Sequence, residues 1–180
     1  MIVGLFAVDD KGNMGNDGGL PWPHNKDDMQ WFKQTTQDQI VVMGRGTWNS
    51  IDMPKPLPGR LNVLVTNNFI DRPDIEQLRG DVCDALKSIQ QSNKKKNIFV
   101  IGGPTILLQA KPVLERVLLT RIPGEYMADV SINIDEFLDG FNLLSSKNLG
   151  TCIIEEYENG TIQKRARARA RTRSTEDRSD

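Results

Sequence analysis

The chain has 180 residues, 23 basic and 24 acidic side chains and 38% hydrophobic residues, so one domain can bury its own core without a disulfide or metal. Cys83 and Cys152 are isolated thiols and His24 is the only histidine. That leaves no Cys/His zinc spacing and no serine triad on a G-x-S-x-G turn, and it suits a reducing cytoplasm.

The N-terminal run MIVGLFAVDDKG lacks the basic n-region of a signal peptide and the length of a membrane span. Its residues 2–8 read as a buried strand. Residues 10–24, DKGNMGNDGGLPWPH, hold four glycines and two prolines without an apolar period. Leu20 and Trp22 gain little from contact with water, so this long loop reads as a lid, with His24 solvated at its end. Asn25 suits the N-cap of a helix over residues 25–37, where Met29, Phe32 and Thr36 recur at helical spacing. Asp28 either completes a box-like cap or, sharing a face with Phe32, walls a pocket for a flat, amidine-like heterocycle. Enclosed by apolar neighbours, its pKa rises. Asp27 points about 100° away, toward solvent.

Further apolar runs at 40–43, 61–66, 98–101 and 117–122 alternate with helical spacing at 81–91 (Val82, Ala85, Leu86, Ile89) and 104–110. The expected fold is a single α/β domain: a central, mostly parallel sheet of about eight strands flanked by about four helices. Beyond Val130 the helix signal fades. Asn159 and Gly160 between two extended stretches read as a tight turn, closing the sheet with a C-terminal antiparallel hairpin.

Two strand–turn–helix junctions share one design, Met43-Gly44-Arg45-Gly46-Thr47 and Ile101-Gly102-Gly103-Pro104-Thr105. Glycine permits close backbone approach where a helix begins and its free N–H groups attract anions, so the pair can hold a dinucleotide's phosphates from two sides. Arg45 offers a guanidinium fork. Glycines at such turns also serve purely structural ends, and neither G-x-G-x-x-G nor a P-loop is present.

Residues 164–180 carry seven basic and three acidic side chains, a net +4, which leaves −5 on the rest. The expected division is a domain over 1–170 and a basic, polar, disordered tail over 171–180. The run RARARARTR at 165–173 has period two. If 162–168 pairs as a last strand, arginine lines one face and blunts an exposed edge. The competing reading, a nucleic-acid-binding module, lacks interleaved aromatics, so neither nucleic acid nor membrane is the expected partner.

Seven stretches in order resemble dihydrofolate reductase. They are Ala7; Gly15 through Leu20-Pro21-Trp22; Asp28-Met29-Gln30-Trp31-Phe32-Lys33; Met43-Gly44-Arg45-Gly46-Thr47-Trp48; Pro56-Leu57-Pro58-Gly59-Arg60; Val100-Ile101-Gly102-Gly103; and Leu119-Thr120-Arg121. The resemblance implies a cytoplasmic, monomeric oxidoreductase, open to antifolate inhibitors, that serves one-carbon metabolism and thymidylate and purine synthesis. Its reaction is hydride transfer from NADPH to C6 of dihydrofolate with protonation at N5. Asp28 matches the carboxylate that grips the pterin, and Leu20 and Trp22 match the lid that admits the proton-carrying water. Thr120 matches the hydroxyl holding Asp28. Leu5, Ala7 and Ile101 match pterin contacts, Phe32, Ser50, Ile51 and Leu57 its pocket walls with Lys33 beside them, and Arg60 the site of the α-carboxylate.

For the cofactor, the resemblance puts Ala7, Met14, Gly15, Gly19 and Leu20 at the nicotinamide and Gly44, Gly46 and Thr47 at the pyrophosphate. Arg45, Thr66 and Asn67 match the 2′-phosphate site. Ile101 and a cis-joined Gly102-Gly103 follow, with Pro104, Thr105, Ile106 and Leu107 lining the cofactor from a helix. One residue is added between Trp22 and Asp28 relative to many members; Asp28, not Asp27, keeps the spacing to Met29 and Phe32. Leu107 stands where many members carry tyrosine. A close alternative is the reductase of riboflavin synthesis, which is similar in fold and also uses NADPH. It lacks a Leu-Pro-Trp lid together with an aspartate-led helix.

Overall fold

The computed structural model describes residues 1–176. The chain runs β1 (Ile2–Val8), β2 (Asn13–Gly15), α1 (Lys26–Thr36), β3 (Ile40–Met43), α2 (Arg45–Trp48), β4 (Leu61–Val65) and β5 (Glu76–Leu78). Then come α3 (Val82–Ser92), β6 (Ile98–Gly102), α4 (Pro104–Ala110), a 3-10 turn (Lys111–Val113) and β7 (Arg116–Arg121). Last are β8 (Val130–Ser131), α5 (Ile134–Leu138), β9 (Phe141–Asn148), β10 (Ile153–Asn159) and α6 (Gly160–Glu176).

Eight strands form one sheet in the order β5-β4-β3-β6-β1-β7-β10-β9. It is parallel from β5 through β7; β10 runs antiparallel to both β7 and β9. The apolar run of β1 serves both faces, as strand alternation requires. Ile2, Phe6 and Val8 join a core with Leu86 of α3, Leu107 of α4 and Phe137 of α5. Val3 and Leu5 join the opposite core with Met43, Trp48 and Phe99, against which Phe32 of α1 packs. The parallel strands β3, β4 and β6 therefore end beside α1 and the starts of α2 and α4, where open α/β sheets hold ligands.

The glycine-rich stretch after β1 is an anchored loop. Asp9 is fully buried and accepts from the backbone N–H groups of Lys11 (2.9 Å), Asn13 (3.0 Å) and Tyr126 (2.9 Å) and from Asn13 Nδ2 (2.9 Å). Burial opposes its ionisation, but these hydrogen bonds prevail and hold its pKa below the ordinary carboxylate value. β2 then pairs with β8. Gly12 has φ +80°, and a Cβ there would run into the Ile132 carbonyl, so glycine is required at this crossing.

Three expectations need correction. Among the described residues there are six helices rather than about four: α5 has only five residues, too short for a periodic signal, and α6 stands where a last strand was expected. The final hairpin turns at 149–152, between β9 and β10, where Leu149 N–H donates to the Cys152 carbonyl (2.9 Å). Asn159 is instead the start of a helix. Its Oδ1 accepts from Thr161 N (3.0 Å) and Ile162 N (3.2 Å), while its Nδ2 donates to the Leu114 carbonyl (2.9 Å). Residues 162–168 are accordingly helix, not strand, and α6 continues through the expected boundary at 170 to Glu176. Alanine and arginine are both strong helix formers, and an alternating pattern with no strand to pair with follows that propensity. The rest of the expected disordered tail, 177–180, lies outside the described residues. Among the described residues no helix is long and apolar enough to cross a membrane.

Candidate active site

A cleft of about 1080 Å³ opens between α1, the loop after β1 and the two glycine turns. Its two halves differ in chemistry.

In the first half, Asn25 caps α1 by accepting from Asp28 N–H (2.9 Å). The Asp28 side chain is thereby free to line the cleft with Trp31 and Phe32, three and four residues on along the same helix face. Asp28 is 8% exposed. Burial pushes its carboxyl pKa up, and a hydrogen bond from the Thr120 hydroxyl offsets part of that rise. Asp27 departs from expectation: it is half-buried and accepts from Thr151 Oγ1 (2.6 Å), tying α1 to the β9–β10 turn. Cys152 lies behind the carboxylates; burial and the charges of Asp28 and Asp27 push its thiol up to about 11, so it stays protonated.

The loop crosses the mouth of this half. Leu20 lines the cleft, and its N–H donates to the Asp52 carboxylate. Ile51 N–H donates to the Gly18 carbonyl (2.9 Å), so the loop tip and the 50–53 turn hold each other. Trp22 turns inward, with Ile122, Cys152 and Ile154 around it and Tyr126 edge-on at 6.4 Å.

In the second half, Gly44 and Gly103 are extended residues that start α2 and α4, and neither start has a side-chain cap. A Cβ on Gly44 would sit 2.8 Å from Ile106 Cγ1, whereas one on Gly46 or Gly103 would meet nothing within 4 Å. Backbone is therefore bare toward the cleft at the last two positions. The Gly102–Gly103 peptide is cis. Arg45 Nη1 donates to the Asn68 carbonyl (3.1 Å), to which Thr66 Oγ1 also donates (3.0 Å). This gathers Arg45, Thr66 and Asn67 along one wall.

The sequence pattern of the family described as dihydrofolate reductase matches residues 1–151. The chain belongs to the dihydrofolate reductase family. The dihydrofolate reductase of Bacillus subtilis (strain 168) is 35% identical over 130 residues, covering 72% of this chain and 73% of its own. That of Lactococcus lactis is 28% identical over 167 residues, 88% and 97% of the two chains. The Bos taurus enzyme is 30% identical over 139 residues, 69% and 74%.

Most positions named from the dihydrofolate reductase resemblance meet in this one cleft. On the Asp28 side these are Leu5, Ala7, Leu20, Phe32, Ser50, Ile101 and Thr120. On the glycine-turn side they are Met14, Gly15, Gly19, Gly44, Arg45, Gly46, Thr47, Thr66, Asn67, Gly103, Pro104, Thr105 and Ile106. Others stand back from it. Leu107 is fully buried in the core beneath α4, because Thr105, Ile106 and Gln109 occupy the helix face toward the cleft. Ile51 is 77% exposed and Lys33 is exposed. Trp22, Leu57 and Gly102 are outside the lining: Ala7 and Trp31 pack against the cluster of Trp22, Phe32 against that of Leu57, and the Gly102 carbonyl accepts from Gly44 N–H (2.9 Å). Arg60 lies beyond the lining, half-buried, with Nη1 3.5 Å from Gln37 Oε1 and a buried Nε that has no partner among the described residues.

Sequence reasoning missed Trp31, Asp52, Gln109 and the Asp129-Val130 pair as lining. Trp31 and Gln109 follow from helix spacing relative to Asp28 and Thr105. Asp52 and Asp129 reach the cleft through loop contacts far apart in sequence, for which the pattern holds no signal.

Proposed function

We propose that this chain reduces 7,8-dihydrofolate to 5,6,7,8-tetrahydrofolate with NADPH as the electron donor, acting as a cytoplasmic monomer that feeds one-carbon transfer for thymidylate and purine synthesis. The observation that carries the reading is a desolvated carboxylate, Asp28, on the wall of the cleft that also receives the two bare glycine turns.

A carboxylate has two acceptor oxygens, and the 2-amino group and adjacent ring N–H of a pterin form a matching pair of donors. Asp28 makes that paired contact, Thr120 fixes its orientation, and Phe32 and Trp31 pack against the ring with Leu5, Ala7 and Ile101 across from them. Arg60, half-buried just beyond the lining, takes the substrate's α-carboxylate at the cleft's outer end. Desolvation makes protonation at this site easier than in water, so Asp28 orients the ring and favours a proton at N5 through water admitted beside Leu20, with Trp22 anchoring that loop.

The second half fits a dinucleotide phosphate. Backbone at Gly46 and Gly103 is open to close approach, and Gly44, Thr47 and Pro104 through Ile106 continue the wall. Arg45 with Thr66 and Asn67 holds the 2′-phosphate that distinguishes NADPH from NADH. Met14, Gly15 and Gly19 close over the nicotinamide end. Bound there, the cofactor supplies the hydride for C6.

The test is NADPH oxidation followed by absorbance. Oxidation that requires dihydrofolate and is blocked by methotrexate is the expected result. Oxidation supported only by a pyrimidine phosphoribitol substrate would assign the chain to the riboflavin branch instead.

A further inference from the structure

Among the described residues, helix α6 contributes nothing to the lining of the cleft. Between Gly160 and Glu176 it carries six basic side chains, Lys164, Arg165, Arg167, Arg169, Arg171 and Arg173. All six are exposed. Among the described residues, no ion pair engages Arg165, Arg167, Arg169 or Arg173. Because the run is a helix, the role of blunting a sheet edge does not apply to it. Arginines four apart on one helix repel each other.

The helix turns the period-two sequence into a two-sided pattern. At about 100° per residue, Arg165, Arg169 and Arg173 form one row spanning about 80°. Lys164, Arg167 and Arg171 form a second row centred on the opposite side. Ala166 and Ala170 fill one strip between the rows and Ala168 the other.

We propose that α6 seats in the major groove of duplex DNA, with each basic row reaching the phosphates of one wall and an alanine strip facing the groove floor. The major groove of B-form DNA admits one α-helix, and only a helix basic on both flanks engages both walls at once. Alanine carries no hydrogen-bonding side chain, so binding is independent of base sequence. Other polyanions fit this pattern less well. A-form RNA has a major groove too narrow for a helix. An anionic membrane selects a helix with an apolar face opposite its basic face; here the opposite face is basic again. The remainder of the chain carries net negative charge, which confines the attraction to α6.

The experiment uses the full chain and a short fluorescein-labelled DNA duplex of random sequence, with anisotropy measured across a salt series. Contact by both rows predicts a slope of log K against log salt of about −5.4. Replacing either row, as Lys164→Gln/Arg167→Gln/Arg171→Gln or as Arg165→Gln/Arg169→Gln/Arg173→Gln, lowers it to about −2.7 in each case. Thermal melting of both triple variants is expected to match the parent, which separates lost binding from lost folding. A parent slope near −2.7 with only one row mattering, binding to duplex RNA or to phosphatidylserine vesicles as tight as to DNA, or no DNA binding at low salt would each overturn the proposal.

Discussion

The two halves of the cleft solve recognition in opposite ways. The Asp28 half takes one charged side chain out of water and aims it with a single hydroxyl, so its character comes from desolvation. The glycine-turn half leaves backbone and an exposed Arg45 open to solvent, so its character comes from accessible donors and charge. The difference teaches where each half is vulnerable. The first depends on the identity and protonation of one group, the second on the sum of several replaceable contacts.

Substitutions and pH separate the two. The largest effect is expected from Asp28→Asn, which keeps the size of the side chain and removes its charge. Dihydrofolate-dependent turnover at neutral pH should fall by about 10²- to 10⁴-fold, while NADPH affinity measured by fluorescence titration stays unchanged. Next comes Arg45→Leu. Loss of a charged hydrogen bond worth about 1.5–3 kcal/mol raises the KM for NADPH by roughly 10- to 150-fold and leaves the KM for NADH nearly unmoved; equal loss with both cofactors would take Arg45 out of the phosphate contact.

A smaller effect concerns stability. Because folding raises the pKa of Asp28, the folded chain binds more protons than the unfolded one between the ordinary carboxylate value and the raised value. Stability attributable to this group therefore falls as pH rises through that window. Asp28→Asn is expected to raise the melting temperature by a few degrees at pH 7 and to give no gain below the ordinary carboxylate pKa. Scanning calorimetry at the two pH values checks the sign. The smallest effect belongs to Asp27→Asn, which weakens only the tie to Thr151. Turnover should stay within about twofold and stability drop by about 0.5–1.5 kcal/mol.

Much of this architecture was legible in the residues. Continuous apolar runs marked β1, β3, β4, β6 and β7 because strands buried on both faces need no alternation. The expected helix over 104–110 coincides with α4, and proline at its first position is part of the reason. Asp28 rather than Asp27 was indicated by its spacing to Phe32. What stayed illegible has physical causes. Alternating arginine and alanine satisfies both a strand pattern and a helix propensity, and only the bonds of Asn159 decide between them. Leu107 sits on the same short helix as Ile106, so one position of rotation separates core from cleft. The bonds that bring Asp52 to Leu20 and Ile51 to Gly18 join segments with no local pattern in common.

The central claim is that Asp28 is a dry carboxylate facing the substrate. Carboxyl-carbon NMR titration of ¹³C-aspartate-labelled protein, with Asp28→Asn to assign the resonance, reads this directly. The account predicts a pKa above that of an ordinary aspartate in the free protein, shifting downward when a basic 2,4-diaminopteridine binds and pairs with the ionised form. An ordinary value that the pteridine leaves in place would contradict it.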